Sequence, residues 1–322
     1  MQKHSLGNSE LQVSPLCFGC NIFGFTTDEQ RSYELLDALA DSEINFLDTA
    51  DVYSTWVPGH VGGESETIIG NWLKRSGKRA QVVIATKLGK PMGEGKQGLS
   101  RKYMVQAVED SLLRMHTDYI DLYQSHEDDS NTPLEETMEA FALLIQQGKV
   151  RAIGASNFNG SRLAEAIEVS RRKGWPSYVT LQPHYNLVYR PEFENDLEPV
   201  CRKYGLAVLP YFALAGGFLT GKYRSAADAE GKARGGMVKR YMTERGFQVM
   251  TKLIEVSKRL GATPGQVALA WLMARPVQTI PIASATTLMQ FNELVEAMRL
   301  TLDRESIEQL DAVSAEAVPS PS

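Results

Sequence analysis

Residues 45–53 read NFLDTADVY, an apolar run that stops on Asp48 and turns away to Tyr53. Two similar runs follow. VVIATKLG, residues 82–89, carries Lys87, and YIDLYQSH, residues 119–126, carries His126. Each polar side chain stands at or beside the end of a short apolar segment. Residues so far apart in sequence share one edge when strand-and-helix units repeat and the strands run parallel. That requirement decides the fold.

Working outward, strand candidates occupy 16–19, 44–48, 82–87, 120–124, 150–156, 180–182, 207–211 and 279–282. Several are apolar without clean alternation, as expected of strands covered by helices on one face and by a core on the other. Helical patterns fill the intervals 27–40, 64–73, 101–115, about 132–145, 161–172, 192–204, 246–260, 264–273 and 287–298. Eight strands alternating with helices predict an α/β protein of the (β/α)8 TIM-barrel class, one domain over residues 1–322. HSLGNSELQVSP, residues 4–15, predicts an N-terminal β-hairpin. A C-terminal accessory helix is expected over 303–313 with Ile307 and Leu310 inward, and AVPSPS after it as a frayed end. Two long connections, 51–63 and 220–245, would lie at the C-terminal rim, where barrels place substrate and cofactor loops.

Composition narrows the function. A net charge of -5 offers no broad positive field for nucleic acid or anionic lipid, and the basic cluster 232–240 reads as a solvated loop face. No stretch approaches the roughly 18 apolar residues of a membrane span, and MQKHSLGNSELQ has no signal-peptide pattern, so the cytoplasm is expected. Cys17 and Cys20 have CxxC spacing in CFGC, but nothing nearby completes a metal site. With Cys201 they read as thiols, Cys20 partly exposed on a strand-exit loop.

The polar strand ends point to a built active site. A carboxylate at Asp48 would be costly to bury alone, and Lys87 on the next strand is its natural partner. An ammonium beside a phenol stabilises phenolate and makes Tyr53 a better general acid, while His126 directs a donor at a substrate oxygen.

The chain resembles the aldo-keto reductase superfamily through FLDTADVY, GGESETIIG, IATKLG, YIDLYQSH, AIGASNF, LQPHYN and GGFLTGKY, in order and across nearly its whole length. The resemblance implies a barrel that uses a nicotinamide cofactor without a Rossmann domain, with a catalytic tetrad at Asp48, Tyr53, Lys87 and His126. Tyr53 would be the proton donor in reduction and the base in oxidation. Ser156, Asn157 and Gln182 would hold the nicotinamide carboxamide, and Tyr211 would stack on its ring. Where relatives commonly have serine and proline, Phe212 and Ala213 follow Tyr211, which leaves Leu214 and the later glycines, Gly216 among them, to meet the pyrophosphate through backbone N–H groups.

In PIASATTLMQFNELVEA, Ser284, Thr286, Thr287 and Gln290 stand where relatives place basic residues for a 2′-phosphate, and Glu293 matches a position used for the adenine amino group. The expectation is use of both NADP(H) and NAD(H). The partner would be a small carbonyl or alcohol, handled by a monomer or homo-oligomer. Phe23, Phe25, Trp56 and Tyr123 are candidate walls of its pocket, and Asp128 and Asp129 are either sugar-binding acids or exposed loop acids. Alternative readings are a sugar or secondary-alcohol dehydrogenase running oxidatively and, from another class, a cofactor-sensing regulatory subunit.

Overall fold

The computed structural model describes residues 3–223, 225–231 and 235–315. The AVPSPS terminus and residues 232–234 of the basic cluster lie outside the described residues. The chain opens with the expected hairpin: β1 (His4–Ser5) pairs antiparallel with β2 (Gln12–Val13), turning at Gly7, whose φ is +52°. Then come β3 (Cys17–Gly19), α1 (Glu29–Ala40), β4 (Phe46–Asp48), α2 (Glu64–Ser76), β5 (Val83–Leu88), α3 (Arg101–Met115), β6 (Ile120–Ser125), α4 (Leu134–Gln146), β7 (Val150–Ser156) and α5 (Gly160–Lys173). The second half adds β8 (Tyr178–Gln182), α6 (Glu198–Tyr204), β9 (Ala207–Val208), α7 (Gly235–Lys239), α8 (Glu244–Leu260), α9 (Pro264–Met273), β10 (Ile282–Ala283), α10 (Leu288–Arg299) and α11 (Arg304–Ser314).

The eight strands from β3 to β10 form one parallel sheet in the order β10-β3-β4-β5-β6-β7-β8-β9. It closes on itself where Val208 bridges Thr279 and the Ile280 and Ile282 amides donate to the carbonyls of Val208 and Pro210. This is a (β/α)8 barrel. The last strands are shorter than expected: β9 ends at Val208, although Tyr211 still bridges His184, and β10 starts only at Ile282. The helix expected over 192–204 is also broken, beginning as a π-helical turn at Phe193–Leu197 before α6.

Side chains alternate across each strand, and this parity places the site. Phe46, Ala85, Leu122, Ala152 and Ala207 fill the barrel interior with Leu6, Leu11 and Val13 of the hairpin, which plugs the N-terminal end. Two residues on along β4, β5, β6 and β7, the same interior row becomes Asp48, Lys87, Gln124 and Gly154. The floor is apolar and the mouth polar. Residues of opposite parity, such as Leu47, Ile84 and Tyr123, pack into the larger core between barrel and helices. Helix starts are capped by side chains: Asp28, Ser100, Asn159, Thr243, Thr263, Thr287 and Asp303 each accept a backbone N–H of the first turn. In α11 Leu310 is buried and Ile307 half-buried, and Asp311 accepts hydrogen bonds from Trp271 and Arg275 of the α9 region at 2.8 Å each.

Candidate active site

The four strand-end residues meet at the C-terminal mouth. Lys87 is fully buried, and its ammonium spends its three protons on Asp48 Oδ2 at 2.8 Å, the Thr49 carbonyl at 2.6 Å and Tyr53 Oη at 2.9 Å. Because Tyr53 Oη accepts from Lys87, its own hydrogen is left to donate. The nearest carboxylate oxygen, Asp48 Oδ2, lies 3.4 Å away, a long contact. The loop after β4 aims the ring: Ser54 takes a left-handed backbone, φ +78°, and its hydroxyl donates to the Phe23 carbonyl at 2.8 Å. The His126 ring meets the Tyr53 ring edge-on at 6.1 Å between centroids. His126 is fixed at both ends, its amide donating to Leu88 and its carbonyl accepting from Asn157 Nδ2, each at 2.8 Å.

Charges at the site differ from the sequence expectation in one respect. Burial, followed by the Asp48 carboxylate, pushes the Tyr53 phenol well above its ordinary value. Lys87 was expected to draw it down. Instead Asp48 shares the ammonium, and the phenol stays a held proton. Burial, with Lys87 and Lys90 adding repulsion, pushes the His126 imidazole well below its ordinary value, so it is a neutral ring at physiological pH.

Around this centre the other predicted residues fall into two groups. Ser156, Asn157, Gln182 and Tyr211 lie together. Ser156 Oγ donates to the Gln182 carbonyl at 2.9 Å, Tyr211 Oη donates to Asn157 Oδ1 at 2.9 Å, and Gln182 Nε2 donates to Asp48 Oδ1 at 2.9 Å. Asn157 adopts φ +55°, a conformation asparagine tolerates. One face of the Tyr211 ring is backed by His184, stacked at 5.5 Å and 17°. Leu214 opens a turn in which Gly216 and Gly217 have φ of +66° and +101°. The Ala215 and Gly217 amides of this turn donate to the carbonyls of Phe212 and Leu214 at 2.7 and 2.8 Å.

At β10 and the start of α10 the donors are already engaged. Ser284 donates to Asn21 Oδ1 at 3.0 Å, Gln290 Oε1 accepts from the Thr286 amide at 2.8 Å and its hydroxyl at 3.0 Å, and Thr287 caps the helix. Glu293 is exposed.

Of the pocket candidates, Trp56 is 48% exposed and stands edge-on to both Phe25 and Tyr53 at 5.9 Å. Four assignments are corrected. Tyr123 has the opposite parity from His126 and is buried edge-on against Phe141 of α4, so it cannot line the mouth. Phe23 is buried beside Phe18 in the core. Asp128 is bound bidentately by Arg162, and Asp129 accepts from the Leu99 and Asn131 amides and the Thr132 hydroxyl, so neither is a loose loop acid. Cys20, expected partly exposed, is buried with Cys17 and Cys201; burial pushes all three thiols up, which makes them unreactive. The described residues hold no cluster suited to a metal ion.

Two buried groups beside the site were not anticipated. Gln124 donates to Asp48 Oδ1 at 3.2 Å, and its signal was its place two residues before His126 on the same strand face. Asp51 is buried with neither oxygen hydrogen-bonded, near Glu66, which pairs with Arg114 at 2.7 Å. Burial, then Glu66, pushes the Asp51 carboxyl well above its ordinary value. A raised carboxyl subtracts stability once the unfolded chain ionises, and subtracts nothing at acid pH, where both states hold the proton. Asp51→Asn is therefore expected to raise the melting temperature at pH 7 by at least about 2 °C, the scale of roughly 1 kcal/mol. The gain should vanish near pH 3 in thermal melts; an unchanged or lowered melting temperature at pH 7 contradicts a protonated Asp51.

Sequence comparison agrees with this geometry. Residues 15–315 match the model of the aldo/keto reductase family. The chain is 36% identical to the oxidoreductase YrpG of Bacillus subtilis, over 97% of this chain and 96% of that one. It is 32% identical to a probable voltage-gated potassium channel subunit beta of Oryza sativa subsp. japonica, over 97% and 96% of the two chains. With the versiconal hemiacetal acetate reductase of Aspergillus parasiticus it shares 30% identity, over 97% and 96%. No helix among the described residues is long and apolar enough to cross a membrane. From the barrel, the gathered polar strand ends and these matches, the chain belongs to the aldo/keto reductase family.

Proposed function

We propose that this protein reduces an aldehyde or ketone to an alcohol with a reduced nicotinamide cofactor, Tyr53 donating the proton. The observation that carries the reading is the Lys87 ammonium bridging Asp48 and Tyr53 at 2.8 and 2.9 Å, with the His126 ring edge-on to Tyr53. The nicotinamide, when bound, supplies the hydride. The chain's own residues do the rest. Lys87 fixes Tyr53 Oη as an acceptor, so the phenol hydrogen points to an oxygen at the mouth. Neutral His126 offers a ring N–H to that same oxygen without competing for the proton.

The donors present suit the cofactor. Asn157, Ser156 and Gln182 offer neutral amide and hydroxyl groups, Tyr211 an aromatic face, and the turn at Leu214 and Gly216 backbone amides for a diphosphate. The Phe25, Trp56 and Tyr53 rings form an apolar shelf at the entrance, which favours aromatic or apolar carbonyl compounds over charged ones.

The raised Tyr53 phenol favours reduction over oxidation at neutral pH, since a base for alcohol oxidation must first lose that proton. Some relatives are named as channel subunits, but the complete Asp48, Tyr53, Lys87 and His126 set favours catalysis over sensing alone. The reading is tested by following nicotinamide absorbance with both cofactors against panels of aldehydes and alcohols. Aldehyde-dependent oxidation of the reduced cofactor is expected, fastest with aryl aldehydes. Tight cofactor binding without turnover on any panel would contradict it.

Cofactor choice turns on α10. With a neutral glutamine folded onto Thr286, the helix start presents no cation to a 2′-phosphate, so both NADP(H) and NAD(H) are accepted. Gln290→Arg is expected to tighten NADPH roughly 10-fold relative to NADH, the return on one charge-assisted phosphate contact. Fluorescence titration with each cofactor checks this; equal change for both removes α10 from cofactor selection.

A further inference from the structure

Asp48 is buried and accepts from three side chains, divided between its two oxygens, with the Tyr53 hydroxyl at a longer fourth contact. Oδ2 faces Lys87 at 2.8 Å and Tyr53 at 3.4 Å, while Oδ1 takes Gln182 at 2.9 Å and Gln124 at 3.2 Å. Lysine and phenol are therefore on one side of the carboxylate and two primary amides on the other. Gln182 belongs to the cofactor group described above. Gln124 has no such role.

Register explains how Gln124 comes to be there. Lys87 pairs with Gln124, Gln124 with Gly154, and Gly154 with Thr180, one row across four adjacent strands. A Cβ on Gly154 would lie 2.1 Å from Thr180 Oγ1 and 3.1 Å from Gln124 Cγ, so the stem of Gln124 uses the space glycine leaves. Gln124 is fully buried, and its Oε1 has no protein hydrogen bond among the described residues. Among the described residues its side chain donates to Asp48. An amide left with an unpaired buried oxygen costs stability, which a plain barrel filler such as leucine would avoid. The cost is offset by what the nitrogen does to Asp48.

We propose that Gln124 is a positioning residue: with Gln182 it turns Asp48 so that Oδ2 serves Lys87 and Tyr53, and it lowers the pH at which Tyr53 releases its proton. The inference rests on the reading of Tyr53 as the proton-transferring residue. A carboxylate that accepts amide hydrogen bonds spreads its charge into them and presents less negative potential to its other neighbours. Asp48 is the charge that most opposes ionisation of the Tyr53 phenol. Remove one amide from Oδ1, and Asp48 opposes it more strongly.

Gln124→Met keeps the volume and deletes the donor. The experiment is the pH dependence of alcohol oxidation at saturating cofactor, measured on the full chain beside wild type, Tyr53→Phe and a thermal melt of each. The rate of oxidation rises with pH as the phenol ionises. In Gln124→Met the rising limb is expected at higher pH, with kcat roughly 10-fold lower at a fixed pH on that limb and the KM for cofactor unchanged. Gln124→Leu asks the same question with a shorter chain if the methionine variant does not fold. A limb at the wild-type pH, with or without a lower melting temperature, overturns the positioning role and leaves Tyr53 in place. Wild-type oxidation by Tyr53→Phe overturns the underlying reading instead.

Discussion

Tyr53→Phe lowers the rate of carbonyl reduction by at least about 100-fold, the lower range for losing general acid assistance, while cofactor affinity stays near wild type. Only the hydroxyl is removed, and the ring keeps its edge-on contacts with Trp56 and His126. The Lys87 ammonium loses one acceptor and keeps Asp48 and the Thr49 carbonyl. The fold should persist. Because Ser156, Asn157 and Tyr211 are untouched, a loss in kcat without a loss in cofactor binding separates proton transfer from assembly of the site. A variant within about 3-fold of wild type would remove Tyr53 from the chemistry, since such a change is far below the general-acid range.

Lys87→Met has the second large effect, on stability as well as rate. It leaves the Asp48 carboxylate buried with Gln124 and Gln182 as its remaining strong donors. Breaking a buried ion pair from one side costs about 3–5 kcal/mol. Melting temperature should fall by roughly 10 °C, at a few degrees per kcal/mol. Adding Asp48→Asn removes the stranded charge, so the double variant should recover most of that stability and none of the activity. Additive destabilisation in the double variant would show that Lys87 and Asp48 do not act as a pair.

Much of this site was legible because barrels turn local patterns into position. INFLD, VVIATK and LYQSH each announce a strand whose end faces the mouth, and parity does the rest. The same parity sets Tyr123, three residues before His126, on the opposite face, so an aromatic ring near the strand end is not by itself a pocket wall. Gln124 shares the face of His126, but a neutral amide in a strand carries no charge that demands a partner and so nothing local marks it.

Asp51 and Asp128 were illegible for another reason. An acid's role depends on partners distant in sequence, such as Arg162 for Asp128, and nothing local announces them. The direction of the Tyr53 shift was lost in the same way. A lysine beside a phenol lowers its pKa, but burial and a shared aspartate outweigh it, and both are properties of the closed barrel. Strands β9 and β10 are shorter than their apolar runs because that closing seam is held by single bridges rather than long ladders.

The central claim is direct hydride delivery to a carbonyl whose oxygen is protonated by Tyr53. The most direct measurement uses reduced nicotinamide deuterated at the transferring C4 position, purified wild-type protein and an aryl aldehyde in ordinary water. Analysis of the alcohol by mass spectrometry and NMR locates the label. The account predicts one deuterium on the carbinol carbon for each cofactor oxidised; alcohol formed without that label would contradict it.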